Sequence, residues 1–222
     1  MWVGTASGPL IFECGSPFSM NNNNLFDCIG SIPIAFEDSI PAPLLATEDV
    51  RAIEVDGANR VWIGSRNGIF VQSPSGSDNV INFDINNSPL FNNNIIDMAF
   101  DGESGIMYIA SDGGIQSFRT QTTDGGKFHK SSAYAYPNPV RPDYNGPIAF
   151  KGLARDANIK ITDINGQLVY QTTALGGQAI WDGKDYNGQD VASGVYLIFS
   201  VDNNTEFLDN PDTAILKLLM IR

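Results

Sequence analysis

The sequence contains few side chains that could carry out covalent catalysis. Its one histidine, His129, lies in a polar stretch with adjacent glycines, so no base is predicted beside a serine or cysteine nucleophile. No GxSxG, HExxH or P-loop pattern is present. Asp56 and Asp101 each precede a glycine, and in such turns a carboxylate ordinarily accepts backbone hydrogen bonds. The sequence therefore predicts a protein that is not an enzyme, with no catalytic residue, cofactor site or metal site.

The two cysteines, Cys14 and Cys28, allow two interpretations. A disulfide between them would close a short loop and would suit an exported protein, whereas two free thiols fit the same spacing. The opening residues, Met1–Thr5, have neither the basic nor the apolar segment of a signal peptide and read like the inside of a strand. We therefore expect the chain to be a piece of a longer protein, truncated at its N-terminal side.

Charge is unevenly distributed along the chain. The formal net charge is −12, which argues against nucleic acid as a partner because such proteins present a basic face. Residues 1–118 contain fourteen carboxylates and only three bases, Arg51, Arg60 and Arg66, whereas residues 119–222 contain ten bases and eleven carboxylates. Any polyanionic partner is therefore expected to dock on the C-terminal half.

The elements that must position these residues are predicted to be strands. The 22 glycines and 12 prolines divide the chain into short pieces, which favours an all-β fold over long helices. Hydrophobic residues make up 42% of the chain, yet no apolar run approaches the ~18 residues that a membrane helix needs. We expect a globular protein without a transmembrane segment.

Residues 1–118 contain an internal repeat. Val50–Val71 and Ile95–Phe118 each show an alternating apolar run, an Asp-Gly turn, a second run around an aromatic residue and a third run after a glycine. Residues 1–12 match the second part of the same unit. A repeat of this length with three or four strands has the size of a propeller blade. We expect two to three blades, interrupted by an insertion at residues 13–49 with one or two strands.

These repeats resemble the two-component-regulator propeller repeat. Its hallmark, a W-I-G-[ST]-x-x-G-[IL] strand and turn, is found at Trp62–Ile69, and the connecting N-S-P-L segment is found at Asn87–Leu90. In that family the blades form propellers that sense ligands or act as scaffolds. The resemblance implies an incomplete β-propeller over residues 1–119.

The composition of the sequence changes after residue 119. Residues 120–133 are polar and contain Gly125 and Gly126, which predicts a flexible linker. Residues 134–222 then show seven short strands without helical periodicity, separated by turns such as Asn165-Gly166. This pattern predicts an immunoglobulin-like β-sandwich.

Residues 134–222 resemble the C-terminal sorting domain of the type IX (Por) secretion system. The matching motifs, in chain order, are Tyr136–Val140, Asn158–Asp163, Gly166–Val169, Trp181–Gly183, Asn187-Gly188, Ser193–Tyr196 and a terminal strand that carries Lys217 and ends at Arg222. In that family this domain is the signal that directs a protein across the outer membrane. The resemblance implies an exported protein at the outer membrane and cell surface, with the type IX translocon and attachment-complex proteins as partners.

The resemblance also implies two sets of site residues. The motif residues that a translocon would recognise are Gly194, Tyr196, Lys217 and Arg222. If the protein binds anionic lipopolysaccharide, the cations of the C-terminal half are the contacts we expect, namely Arg141, Lys151, Arg155, Lys160 and Lys184.

Three functions are compatible with this organisation. The chain is expected to belong to a non-enzymatic surface component of the type IX machinery that presents anionic lipopolysaccharide for anchoring of cargo. Alternatively, it is a cargo protein with a propeller binding module and a cleavable tail. A periplasmic sensor propeller of a hybrid two-component kinase is the third alternative, which the terminal sorting-domain strand disfavours because a membrane helix should follow a sensor.

Overall fold

The computed structural model describes residues 1–14, 28–37, 40–77, 79–202 and 212–222, and every regular element in them is a strand. The all-β expectation is therefore confirmed for this part of the chain. No helix in it is long and apolar enough to cross a membrane. The first twelve strands are β1 (Trp2–Thr5), β2 (Gly8–Cys14), β3 (Cys28–Ser31), β4 (Ile34–Glu37), β5 (Ile40–Pro43), β6 (Ala52–Val55), β7 (Val61–Gly64), β8 (Ile69–Gln72), β9 (Asn79–Phe83), β10 (Ile95–Asp101), β11 (Ile106–Ser111) and β12 (Gly114–Arg119).

The remaining strands belong to the C-terminal half. They are β13 (Tyr134–Tyr136), β14 (Ile148–Lys151), β15 (Asn158–Asp163), β16 (Leu168–Thr173), β17 (Gln178–Trp181), β18 (Gly194–Val201) and β19 (Thr213–Met220). The chain divides into two compact units. The first contains residues 1–100 and 106–118, and the second contains residues 101–105 and 119–222.

The first unit consists of small antiparallel sheets that follow the sequence repeat. Strands β6-β7-β8-β9 form one four-stranded sheet in chain order, and β10-β11-β12 form a three-stranded sheet. Strands β1-β2-β3 form another sheet, in which Cys14 lies opposite Cys28, a register that leaves both cysteine interpretations open.

The predicted insertion at residues 13–49 differs from the expectation. Its described residues contain three strands rather than one or two, because β3 pairs with β2 while β4 and β5 pair with each other. Pro41 and Pro43 belong to β5, and β5 pairs on one side only, where a missing backbone N–H is tolerated. Residues 15–27 and 38–39 of the insertion lie outside the described residues.

The Asp56 side chain connects its turn to the buried Trp62 of the same repeat. The Asp56 carboxylate accepts hydrogen bonds from the backbone N–H groups of Ala58 and Arg60, and from the indole Nε1 of Trp62 at 2.9 Å. The Arg60 guanidinium pairs with the same carboxylate at 2.8 Å, so this buried charge is compensated. Asp101 makes the simpler turn, accepting from Glu103 N–H and Ser104 Oγ. Both aspartates thus have the turn role that the sequence predicts.

The second unit packs two sheets around one core. Strands β13-β14-β17 form the first sheet, and β16-β15-β18-β19 form the second. Both sheets contribute to the same buried cluster, which includes Phe150 and Trp181 from the first sheet and Ile161, Ile198 and Leu218 from the second. Each large apolar side chain buried this fully contributes roughly 1.5–3 kcal/mol to stability.

The segment for which the sequence predicts a linker is bonded to the second unit. Gly177 N–H donates to the Thr123 carbonyl at 2.8 Å, and Arg155 N–H donates to the Gly126 carbonyl at 2.8 Å. Thr122 is buried, and a Cβ at Gly125 would lie 2.7 Å from the Arg155 Cα. The backbone of residues 120–126 is therefore hydrogen-bonded and packed, and the absence of a side chain at Gly125 permits this close approach.

Candidate functional site

The terminal strand β19 lies at the edge of its sheet. It pairs with β18 from Val201↔Thr213 to Gly194↔Met220, and alternate residues direct their backbone groups to the other side. On that outer side the Asn138 carboxamide donates to the Lys217 carbonyl at 2.8 Å and accepts from Leu219 N–H at 3.0 Å. The Val140 backbone then bonds Leu219 and Ile221. The motif Tyr136–Val140 thus covers the C-terminal half of the edge as a further strand would.

The N-terminal half of this edge is open in the described part of the chain. Within it, no hydrogen-bond partner meets the outward backbone groups of Thr213 and Ile215. Ile215 is exposed as well. Among the described residues, this half of the edge presents backbone donors and acceptors of the kind that strand addition uses, whereas Asn138 and Val140 cover the other half.

The four predicted recognition residues lie around this strand but differ in accessibility. Tyr196 is buried, its ring packs edge-on against Trp181, and its hydroxyl donates to the Ala192 carbonyl at 2.9 Å. Burial raises the pKa of the Tyr196 phenol. Gly194 pairs with Met220 at the start of β18.

The other two recognition residues are exposed. Lys217 lies on the outer face of the sheet, opposite Leu197. The Arg222 guanidinium pairs with Asp190 at 3.3 Å and with the Gly183 carbonyl, and its backbone N–H donates to Ser193 Oγ at 2.8 Å. Lys217 is thus presented at the edge, whereas the Arg222 side chain is engaged within the unit.

The five predicted lipopolysaccharide contacts are not brought together. Lys151 lies on the outer face of the sheet β13-β14-β17, whereas Lys160 belongs to β15 of the other sheet. Arg141, Arg155 and Lys184 lie in connections between strands. On the outer face of the sheet β13-β14-β17, Lys151 lies next to Arg119, which is not among the five predicted contacts.

This face carries a groove, termed here the tyrosine groove, of about 720 Å³. Its floor consists of two rows across the strands, because Tyr134 lies opposite Lys151, which lies opposite Gln178, and Tyr136 lies opposite Ala149, which lies opposite Ile180. Tyr144 and Arg119 also line it. The small side chain of Ala149 leaves the space between the larger ones open.

The sequence contains a signal for two of these tyrosines. Alternation in Ala133-Tyr134-Ala135-Tyr136 places both rings on one face and buries Ala135 on the other. Arg119 and Tyr144 carry no comparable signal, because neither belongs to the sheet β13-β14-β17. Arg119 is the last residue of β12, and Tyr144 lies in the connection before β14.

Two cations dominate the charge of the tyrosine groove. Partial burial and the nearby Arg119 guanidinium hold the pKa of the Lys151 ammonium below its usual range. Both side chains contact the Ser104 carbonyl, Arg119 at 3.2 Å and Lys151 at 3.4 Å. Among the described residues, no carboxylate lines this groove, although Glu103 and Asp124 line an adjoining pocket of about 300 Å³.

A serine, a histidine and an aspartate meet elsewhere in the second unit. His129 Nε2 lies 2.7 Å from Ser200 Oγ, and His129 Nδ1 lies 2.7 Å from Asp212 Oδ2, the connectivity of a nucleophile–base–orienter set. The sequence carries no signal for this arrangement, because Ser200 and Asp212 lie 71 and 83 positions from His129, which follows a polar stretch with adjacent glycines. Ser200, however, has 0% relative exposure, so a substrate carbonyl has no access to Oγ. These hydrogen bonds attach His129 to the sheet β16-β15-β18-β19.

The backbone also takes part in that contact. His129 N–H donates to the Asp212 carboxylate, and this bond together with the imidazole holds the pKa of Asp212 below its usual value. The buried histidine thereby links the segment after residue 126 to the start of β19.

Comparison with known proteins relates the second unit to a secretion signal. Residues 134–209, less than half of the chain, match the secretion system C-terminal sorting domain family. No curated protein matches the chain.

Among solved structures, the whole chain is similar to PorZ, described as an essential bacterial surface component of the type IX secretion system of Porphyromonas gingivalis. The identity is 28%, the TM-score is 0.61, and the chain spans 29% of the length of that structure. More distant similarity is found to the extracellular domain of a hybrid two-component system from B. thetaiotaomicron, at 14% identity over 100% of this chain and 30% of that one, with a TM-score of 0.34. Latent PorU from P. gingivalis covers 52% of this chain and 12% of its own at 18% identity, with a TM-score of 0.29. The sorting-domain match and the similarity to PorZ relate the chain to type IX secretion.

Proposed function

We propose that the chain is part of a non-enzymatic cell-surface component of the type IX secretion machinery, which presents anionic lipopolysaccharide for anchoring of cargo. One observation carries this proposal: a single chain combines a sorting-domain match at residues 134–209 with similarity to PorZ over its whole length. A sorting tail alone would equally suit a cargo protein. The similarity along the first unit favours a component of the machinery.

We also infer that the second unit is an immunoglobulin-like sandwich. Its strand order places the first, second and fifth strands in one sheet and the third, sixth and seventh in the other, as in immunoglobulin domains. The fourth strand, β16, pairs with β15 and so extends the second sheet. The hydrogen bond from the Tyr196 hydroxyl to the backbone four residues upstream supports the assignment, because such domains carry a tyrosine corner at the start of the sixth strand.

The first unit, by the same reasoning, supplies blades of a propeller. The meander β6-β7-β8-β9 has the four strands of one blade, and β10-β11-β12 repeats its first three. Trp62, Ile69, Ile95 and Met107 fill the core between these two sheets, as neighbouring blades pack. Together with the sheet β1-β2-β3, this arrangement supports two to three blades.

For export, the proposal assigns the terminal edge of β19 to recognition by the translocon. Strand addition along the outward groups of Thr213 and Ile215 would supply affinity through main-chain hydrogen bonds. Removal of Ile221 and Arg222, which leaves Thr213 and Ile215 in place, tests whether the translocon also reads the residues that follow β19. The deletion removes the bonds of Ile221 and Arg222 to Val140, Ser193, Asp190 and Gly183, but terminal residues usually contribute little to the stability of a fold. We expect a folded protein that no longer reaches the surface.

The proposed function as a whole is tested in a bacterium that has the type IX system. Deleting the gene should release cargo from the cell surface, and mass spectrometry of the surface-exposed protein should find residues 134–222 retained. Loss of residues 134–222 on arrival, with cargo still anchored in the deletion strain, would show that the protein is itself a cargo.

A further inference from the structure

The tyrosine groove has the size and lining of a ligand site rather than of an ordinary solvated sheet face. Its volume of about 720 Å³ lies within the range of roughly 300–1,000 Å³ that is typical of small-molecule sites. Such sites combine apolar and aromatic walls with a few polar groups. Here Tyr134, Tyr136 and Tyr144 supply the aromatic surface, and Gln178 lies at the end of one row.

The charge of the groove indicates what kind of ligand it takes. Arg119 and Lys151 repel each other, and among the described residues neither forms an ion pair with a carboxylate. An anion between them would relieve this repulsion through charge-assisted hydrogen bonds, and a guanidinium fits a phosphate or carboxylate with two parallel bonds.

The aromatic rows indicate what carries the anionic group. Tyr134 and Tyr136 are 51% and 64% exposed, and both stand on a rigid, hydrogen-bonded strand. Each ring offers a flat apolar body with a hydroxyl at its tip, which suits a ring that is apolar on its faces and polar at its rim. A sugar ring has this character.

We propose that the tyrosine groove binds an anionic sugar, with its phosphate or carboxylate between Arg119 and Lys151 and its ring against Tyr134 and Tyr136. This inference rests on the proposed function, because it locates the lipopolysaccharide contact within the second unit. It replaces five dispersed cations with one built site that retains Lys151.

The test titrates the purified full chain with four probes: a phosphorylated trisaccharide, the same trisaccharide without phosphate, inorganic phosphate, and an acidic peptide of equal charge. We expect the phosphorylated trisaccharide to bind at least tenfold more tightly than each of the other three. Its affinity should fall as salt is raised, because the groove is open to solvent and salt screens charges that solvent reaches. Equal binding of the neutral trisaccharide, of phosphate alone or of the peptide would overturn the assignment to an anionic sugar.

Matched variants locate the site. Lys151→Gln and Arg119→Gln should each weaken binding about tenfold, since hydrogen bonds to charged groups are the stronger ones. Lys160→Gln, an exposed strand cation on the other sheet, should leave the affinity unchanged. Tyr136→Ala should weaken binding, whereas Tyr186→Ala, at 60% exposure against 64% for Tyr136, should not.

Circular dichroism melts confirm that each variant is folded, and Arg119→Gln provides the exposed alternative if Lys151→Gln is destabilised. Affinity unchanged in Arg119→Gln and Tyr136→Ala overturns the groove assignment. If Arg119→Gln and Tyr136→Ala still bind whole anionic lipopolysaccharide as tightly as the wild type does, the tyrosine groove is not the binding site, but the proposed function is unaffected. The release of cargo from the cell surface in the deletion strain is measured separately, and it tests only the proposed function.

Discussion

The carboxamide of Asn138 bonds β19 at two points, the Lys217 carbonyl and the Leu219 N–H. We predict that Asn138→Ala lowers the free energy of unfolding by about 1–2 kcal/mol, because two hydrogen bonds are lost at a partly solvated edge. Urea denaturation measures the loss. Asn145→Ala, in the exposed loop before β14, is the control and should change stability little. Equal stability of Asn138→Ala and wild type would contradict the role of Asn138 as a partner for the edge.

Asp212 gives the second unit an acid-sensitive contact. Its pKa is lowered in the folded protein by hydrogen bonds from His129, so the stability that it contributes is present above the ordinary carboxyl value of 3.8. That contribution is lost as the pH falls through the lower folded value. We predict that Asp212→Asn has a shallower decline of Tm with acidification below pH 4 than the wild type. Asp143→Asn, in an exposed loop, should keep the wild-type slope. A wild-type slope in Asp212→Asn would show that the His129 contact does not stabilise the fold.

At the scale of elements, the segment 120–126 packs closely at Gly125. A Cβ at Gly125 would lie 2.8 Å from backbone atoms of Gly176 and Gly177, whereas a Cβ at Gly126 has its nearest neighbour at 3.6 Å. We predict that Gly125→Ala costs about 1–3 kcal/mol, because backbone neighbours cannot yield cheaply. Cleavage within residues 120–130 should also accelerate in limited proteolysis.

The adjacent substitution Gly126→Ala is the matched control and should behave like the wild type in both measurements. If the wild-type chain were cut first and rapidly within residues 120–130, the segment would be the flexible joint that its composition predicts, and this packing argument would fail.

For the molecule as a whole, the two units are predicted to differ in autonomy. The core of the second unit draws its buried members from Ala135 to Met220, so a fragment of residues 119–222 should melt cooperatively. In the first unit, the sheet β10-β11-β12 exposes Ile96, Tyr108 and Ile115 at 51%, 45% and 76%. We predict that a fragment of residues 1–118 aggregates or melts without cooperativity, as sheets with open apolar faces do. A sharp monomeric melt of residues 1–118 in calorimetry would refute this.

The sequence by itself determined the all-β class, the repeat and the relation to the sorting domain. These features depend on local chemistry: strands alternate with a period of two, Asp56 and Asp101 form turns with the glycine that follows, and motifs such as Tyr136–Val140 are contiguous. A pattern of this kind is complete within a few residues, so it can be read before folding is considered.

Only the tertiary structure decided where side chains from distant segments meet. His129 contacts residues 71 and 83 positions away, and Lys151 acquires Arg119 as a neighbour across the second unit. It also decided that residues 120–126 pack, because a glycine that permits close backbone contact and one that permits mobility are the same letter in a sequence. Which of the two it is depends on the surface that the chain meets, and that surface exists only in the folded protein.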